Sequence, residues 1–146
     1  YQIFILILIF NSINNMKKIR IEGTDISPQV ILDIENNNFS IIGKSVVTEA
    51  NTFYAPLIDW LEKSEKEFTK RIDFVFDLEY FNIYSSKRIL FILYKLSDLK
   101  KSGVDVQVIW HFSLEDDDMK EVGEDFACMV NLPFEFISNT MHAEYA

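Results

Sequence analysis

The sequence has few of the residues on which most catalytic and metal sites depend. It contains one cysteine, Cys128, and two histidines, His111 and His142, among 146 residues. A single cysteine excludes an internal disulfide and is typical of a reducing compartment. Four glycines are too few to make a phosphate-binding glycine loop probable on composition. No cysteine or second histidine lies at metal-ligand spacing from His111, so neither a metal site nor a cofactor is predicted.

Positive charge is also scarce. Fourteen Lys and Arg face 23 Asp and Glu, which gives a formal net charge of −9 at pH 7. Nucleic acids are bound by basic surfaces that release counterions, and anionic membranes attract the same kind of surface. The composition therefore predicts a cytoplasmic protein that binds no nucleic acid and no membrane.

Long hydrophobic runs are confined to the beginning of the chain. Residues 3–10 are all apolar, but this run is far shorter than the roughly 20 residues that a membrane-spanning helix needs. A signal peptide is not indicated, because no basic region precedes the run. We interpret residues 1–15 as a non-native or upstream-translated leader, with a membrane anchor as the alternative. Residues 16–138 then form one domain, and residues 139–146 are expected to be a flexible tail.

Hydrophobic periodicity predicts an α/β fold opened by an antiparallel hairpin. Strand and helix alternate after Thr52, an order that builds a mainly parallel sheet with right-handed crossovers. Because two central strands keep one polar face, three main helices are expected mostly on one face of the sheet. The helices are predicted to begin near Thr52 (or after Thr48), at a corner formed by residues 82–86, and at Ser113 or Glu115. The predicted strands span residues 17–21, 30–34, 39–42, 73–81, 104–112 and 133–137.

One stretch, residues 73–96, organises the rest of the chain. Its first part alternates apolar and polar residues as a strand does, and its second part carries an apolar stripe at helical spacing. The two parts are joined by a polar corner that contains Ser85 and Ser86. Hydroxyls there lie at a helix start, where backbone N–H groups are unpaired and the helix dipole is positive. This corner is the predicted functional site.

The two serines of the corner have two compatible interpretations. One of them can cap the helix, a role that hydroxyls fill routinely. A hydroxyl at a helix start is also a suitable switch, because phosphorylation adds a charge of about −1.5 to −2 where the N–H groups and the dipole can receive it. Asp77 and Glu79 in the preceding strand would repel such a phosphate.

The sequence supports a catalytic or metal site less well than it supports the corner. His111 could serve a small hydrolase together with Asp77 or Glu79, but a lone histidine on a polar strand face is more often a surface residue. The carboxylates of residues 115–118 suit the first turn of a helix better than a divalent-metal site. No catalytic residue is assigned, and the protein is predicted not to be an enzyme.

Several segments, in order and over nearly the whole domain, resemble the SiaC-family regulatory phosphoproteins. These segments are Ile21-Glu22-Gly23-Thr24 with Ser27-Pro28, Gly43-Lys44-Ser45, residues 53–61, Tyr80-Phe81-Asn82 with Ser85-Ser86-Lys87, residues 115–119, residues 123–127, and residues 132–136. The resemblance implies a fold similar to the STAS domains of anti-anti-sigma factors, with no catalysis of its own.

The resemblance also implies a role in bacterial signalling by partner switching. In the family, a partner kinase phosphorylates a hydroxyl of the corner and a PPM-type phosphatase removes the phosphate. The unmodified form engages an output protein, such as a diguanylate cyclase linked to biofilm. The positions that would contact these partners are Asn82, Ile83, Tyr84 and Lys87.

The corner departs from the family pattern at its acceptor. The family threonine falls on Ile83, which cannot carry phosphate, and the next serine falls on Tyr84. Ser85 and Ser86 match and are the candidate phosphoacceptors. Either the acceptor has moved to one of these serines, or the protein is a constitutive docking or scaffold protein. The Pro-Glu-Asn signature before the first helix is also replaced, by residues 47–49.

Overall fold

The structure, a computed structural model, describes residues 2–7 and 18–139. Residues 2–7 form a short helix whose side chains are exposed. The rest of the predicted leader lies outside the described residues, as do Met16 and Lys17 of the predicted domain and residues 140–146 of the predicted tail. Asn139 ends the last strand instead of belonging to the tail. Within the described ranges, each helix is too short or too polar to reach across a bilayer.

Six strands form one mixed sheet in which neighbours in space are neighbours in sequence. The first two pairings are antiparallel and the last three are parallel, which confirms the predicted hairpin followed by a parallel sheet. The strands are β1 (Lys18–Ile21), β2 (Gln29–Asp33), β3 (Asn38–Ser45), β4 (Ile72–Phe81), β5 (Val106–Ser113) and β6 (Phe134–Asn139).

Each pair of neighbouring parallel strands is connected by a helix. The helices are α1 (Ala50–Lys63), α2 (Ile83–Lys101) and α3 (Asp117–Met129), and a 3-10 turn over Glu65–Glu67 follows α1. Crossovers of the usual right hand between consecutive neighbours place all three helices on the same face. Residues from every helix and from alternate strand positions share one core cluster, which confirms a single covered face. The other face of the sheet is open.

The hairpin between β2 and β3 is held by its asparagines. Asp33 accepts hydrogen bonds from the backbone N–H and the side-chain amide of Asn36, at 3.1 and 2.8 Å. The side-chain bond of Asn36 is the main cause of the lowered pKa of Asp33. Asn37 adopts a φ of 50°, the left-handed conformation that asparagine tolerates better than most residues.

Two predicted helix starts are wrong. Helix α1 begins at Ala50, after Glu49, whose side chain makes no capping bond. Pro56 therefore lies in the second turn, where it has no N–H to bond the carbonyl four residues earlier. Helix α3 begins at Asp117, because Asp116 caps it: its Oδ1 accepts the N–H of Met119 at 3.0 Å. Asp117 and Asp118 follow in the first turn of α3, where the helix dipole favours negative charge.

An aromatic cluster joins α3 to the sheet around Trp110. The indole is buried and donates to the carbonyl of Met119 at 3.0 Å. Its ring lies 5.6 Å from that of Phe76 and 5.8 Å from that of Phe126. Gly123 of α3 faces the indole so closely that a Cβ there would lie 2.5 Å from Nε1. The glycine is what allows α3 to approach β5.

Gly123→Ala is expected to lower the free energy of unfolding by about 1–2 kcal/mol. The methyl group must displace a rigid buried ring, and this overpacking exceeds the gain of about 0.8–1 kcal/mol in helix propensity. Urea unfolding measures the change. The exposed Asp125→Ala in the same helix is the control and should change stability by less than about 0.5 kcal/mol. A Gly123→Ala protein as stable as wild type would show that α3 can move away without cost.

Candidate functional site

The corner between β4 and α2, residues 82–87, is fixed by Asn82. Its Oδ1 accepts the N–H of Ser85 at 2.9 Å and its Nδ2 donates to the carbonyl of Val47 at 3.2 Å. Its backbone N–H donates to the carbonyl of Ser45 at 3.0 Å. Asn82 is therefore the cap of α2, and the predicted capping by a serine is wrong. The same residue ties the helix start to the end of β3 and to the segment that leads into α1.

Ser85 is sealed beneath the corner. Its exposure is 0%, and its Oγ accepts a hydrogen bond from the Oγ of Ser45 at 2.8 Å. Ser45 in turn lies 2.6 Å from the hydroxyl of Tyr54 in α1. We name Ser45, Tyr54 and Ser85 the hydroxyl cluster. It joins β3, α1 and α2 inside the core. Ser85 was one of the two candidate phosphoacceptors. In this conformation a kinase cannot reach its hydroxyl, because the side chain is fully buried.

The three side chains of the hydroxyl cluster are buried away from water. Burial raises the pKa of Tyr54 to about 12, although its hydrogen bonds to Ser45 and Ser85 act in the opposite direction. Burying a hydroxyl is costly unless it is hydrogen-bonded. The three groups satisfy one another, so the cluster fixes the relative positions of three elements without requiring charge.

The outer side of the corner is exposed and partly apolar. Ile83 is 79% exposed and Tyr84 64%, while Lys87 is exposed beside them and Ser86 is half-buried. A cleft of about 220 Å³ separates Tyr84 and Lys87 from the segment before α1. That segment includes part of residues 47–49, so the structure brings the two degraded family signatures together.

His111 and Asp77, the residues considered for a small hydrolase, are linked through Asn139 in a hydrogen-bond network. Nδ1 of His111 lies 2.9 Å from Oδ1 of Asn139, and Nδ2 of Asn139 donates to Asp77 at 3.1 Å. The amide stands between the imidazole and the carboxylate, and an amide does not titrate. Within residues 2–7 and 18–139, no group of three His, Cys, Asp or Glu could hold a metal ion. Cys128 is exposed on α3.

Two residues of the site were missed by sequence reasoning. Ser45 and Tyr54 lie within the segments that resemble the family, but neither was predicted as a site residue. The buried stripe contains Ala50, Tyr54, Leu57 and Leu61, whereas Phe53 packs edge-on against Tyr54. The spacing of four, three and four residues was a signal that Tyr54 faces the core.

Comparison with known proteins agrees with this arrangement. Residues 21–139 match the SiaC family of regulatory phosphoproteins. The chain belongs to the SiaC family. An uncharacterized protein of Pseudomonas aeruginosa (strain UCBPP-PA14) is 25% identical over 119 residues, which cover 82% of this chain and 94% of the relative.

Solved SiaC structures share the fold. Apo-SiaC from Pseudomonas aeruginosa matches with a TM-score of 0.76 and 24% identity, covering 83% of this chain and 98% of that chain. A structure of the diguanylate cyclase SiaD in complex with its activator SiaC, from the same organism, matches with a TM-score of 0.77 and 24% identity. That match covers 83% of this chain and 99% of the matched one. The SiaC fold therefore extends over the corner and the hydroxyl cluster.

Asn82→Ala is expected to lower the free energy of unfolding by about 1–2 kcal/mol, because α2 loses its cap and the segment before α1 loses its tether. Denaturant unfolding measures the effect. Asn82→Asp should keep much of the stability, since aspartate also caps helices. The exposed Asn131→Ala is the matched control, and equal stability of the two alanine variants would contradict the role of Asn82.

Tyr54 should make stability depend on alkaline pH. The folded protein holds the phenol proton more tightly than the unfolded chain, whose tyrosine pKa is 10.0. The stabilisation is complete below pH 10 and is lost as the pH rises toward 12, by up to about 2–3 kcal/mol.

The test compares urea unfolding of the wild type and Tyr54→Phe from pH 7 to pH 11. The variant should be less stable by about 1 kcal/mol at neutral pH, because a buried hydrogen bond is lost. The difference should shrink above pH 10. The exposed Tyr84→Phe should follow the wild type throughout, and parallel curves for Tyr54→Phe would contradict the buried phenol.

Proposed function

We propose that the protein is a non-catalytic binding module of bacterial signalling whose corner docks partner proteins and is regulated by phosphorylation. The observation that carries the proposal is the exposure of Ile83 and Tyr84 at a rigid helix start. Two adjoining large apolar side chains with most of their surface exposed gain free energy when a partner covers them, and aromatic anchors dominate many interfaces.

The corner has the further properties of a docking site. The cap by Asn82 and the hydroxyl cluster fix the backbone beneath the exposed side chains. A partner would therefore bind with little ordering cost. Lys87 and Arg88 border the same cleft and supply positive charge in an otherwise acidic protein. A partner with an acidic rim around an apolar pocket fits this surface.

The family suggests what the partners are. A solved relative is the activator of a diguanylate cyclase, with which it forms a complex. By analogy, the output partner of this chain is a diguanylate cyclase or a similar signalling enzyme. A kinase and a PPM-type phosphatase would set the fraction of protein able to bind it. Such a system operates in the cytoplasm.

Ser86 is the better of the two candidate acceptors. It lies in the first turns of α2 and is half-buried, whereas Ser85 is fully buried in the hydroxyl cluster. A phosphate on Ser86 would stand next to Ile83 and Lys87 on the docking surface. Added negative charge at that position changes the recognition by a partner directly. Phosphorylation of Ser85 would require the cluster to open first.

A constitutive docking protein is the second candidate function. It is favoured by Ile83 at the position of the family threonine and by the burial of Ser85. In this case the corner binds its output partner at all times, and its apolar contact is strengthened by the isoleucine.

The switch is tested by incubating the protein with its cognate kinase and ATP and mapping phosphate by mass spectrometry. Phosphate is expected on Ser86, and Ser86→Ala should abolish it. Absence of phosphate from Ser86, Ser85 and Tyr84 would remove the switch and leave the constitutive function.

Binding of the output partner separates the two functions further. Ile83→Glu should weaken binding by about thirtyfold or more under either function, because it places a charge at an apolar contact. Ser86→Asp should weaken binding by about tenfold or more only if the protein is switched. Titration calorimetry measures both. Leu114→Ala, at a side chain that is also exposed, is the control and should bind as the wild type does.

A further inference from the structure

The open face of the sheet carries a continuous row of residues that crosses all six strands. Each residue of the row is the direct ladder neighbour of the next, from the first edge of the sheet to the other. The row consists of Arg20, Ile31, Ser40, Val75, Ile109 and Glu135. It therefore has a basic end, an aliphatic and small-residue centre, and an acidic end.

The aliphatic part extends beyond this row. Ile42 and Ile137 lie on the same open face, and Ile42 is 38% exposed. Ile31, Val75 and Ile109 are half-buried by their neighbours within the sheet. Among residues 2–7 and 18–139, no helix covers this face, because α1, α2 and α3 all pack into the core on the other side.

Charge on this face is divided between its two halves. Strands β1–β3 carry three cations and one buried carboxylate, namely Lys18, Arg20, Lys44 and Asp33. Strands β4–β6 carry four carboxylates and no Lys or Arg, namely Asp73, Asp77, Glu79 and Glu135. Each half has one opposing charge just outside a strand: Glu22 beside Arg20, and Arg71 beside Asp73.

We propose that two copies of this chain pack their open sheet faces against each other about a two-fold axis parallel to the strands. This axis places β1 over β6 of the second copy, β2 over β5 and β3 over β4. Arg20 then faces Glu135 of the second copy, Ile31 faces Ile109, and Ser40 faces Val75. The basic half of each face meets the acidic half of the other, and the contact is self-complementary, as two-fold interfaces are.

The dimensions fit a modest interface. A face six strands wide at about 4.8 Å per strand, and about six residues long, covers on the order of 600 Å². Two copies then bury about 1,200 Å² in total, the lower limit for a specific interface. Packed sheets lie about 10 Å apart, a gap that arginine and glutamate can bridge from opposite sides. The dimer should therefore form reversibly with rising concentration.

This arrangement leaves the corner free. The helices lie on the covered face of each sheet, so the two helix layers point outward on opposite sides of the dimer. Each dimer presents two corners and can hold two partner chains, or one dimeric partner, with the added avidity of two linked sites.

Sedimentation equilibrium across a concentration series tests the dimer with the full chain. The wild type should approach twice its mass of 17.1 kDa. Ile109→Glu should remain monomeric, because the change places a carboxylate opposite Ile31 of the other copy at two places in the apolar centre. Ile83→Glu makes the same change at the corner and should leave the dimer intact. A monomeric wild type, or a folded Ile109→Glu protein that still dimerises, overturns the proposal.

Charge reversal tests the orientation without touching the apolar centre. Arg20→Glu and Glu135→Arg should each weaken dimerisation by about tenfold, because the two-fold axis gives two Arg20–Glu135 contacts and each variant disrupts both. The double variant should return to within about threefold of the wild type. A double variant no better than the single ones would refute the proposed axis. Ile83→Glu separates this result from partner docking, because it should abolish docking while preserving the dimer.

Discussion

Asn82 makes three hydrogen bonds that hold three parts of the structure in register. Its side-chain oxygen accepts the N–H of Ser85 in the first turn of α2. Its side-chain nitrogen donates to the carbonyl of Val47, in the segment before α1. Its backbone pairs with the end of β3. An asparagine is suited to this position because it is both donor and acceptor and carries no charge. The hydroxyl cluster beneath it repeats the same strategy with three neutral groups.

The corner has a supporting layer and an exposed outer layer. The supporting layer consists of the half-buried Asn82 and the buried hydroxyl cluster, whose side chains are hydrogen-bonded within the protein. The outer layer consists of Ile83, Tyr84 and Lys87, which have large exposed areas. Substitutions in the outer layer should therefore have little effect on the fold.

Much of the fold could be predicted because its periodicities are regular. The alternation in β4 and the stripe of α2 at Ile89, Ile92, Leu93 and Leu96 were sufficient to place the central strand and helix. Helix starts were less accessible, because they depend on backbone geometry and not on residue type alone: Asp116 caps α3, whereas Glu49 precedes α1 without a side-chain capping bond. Proline misled the prediction at α1, where buried side chains stabilise an extra turn.

The corner between β4 and α2 was predicted in position but not in its internal arrangement, and its role as a functional site stays a prediction. The hydroxyls of Ser85 and Ser86 are equivalent in composition, yet one points into the core and the other does not. The buried stripe of α2 distinguishes the two serines. Ser85 lies four residues before Ile89 and therefore shares its buried side. The partnership of Ser85 with Ser45, 40 positions earlier, could not be read from local sequence. Long-range contacts of this kind appear only once the strands are ordered.

The order of the sheet has a consequence for how the chain is made. From β3 onward, every strand pairs with the strand that precedes it along the chain. During synthesis each new strand and its helix emerge to find the neighbouring edge already available, so the sheet can grow by one unit at a time. No strand must wait for a distant segment or be inserted between two others. Each parallel pairing closes over one connecting helix, so no closure has to span more than one strand–helix unit.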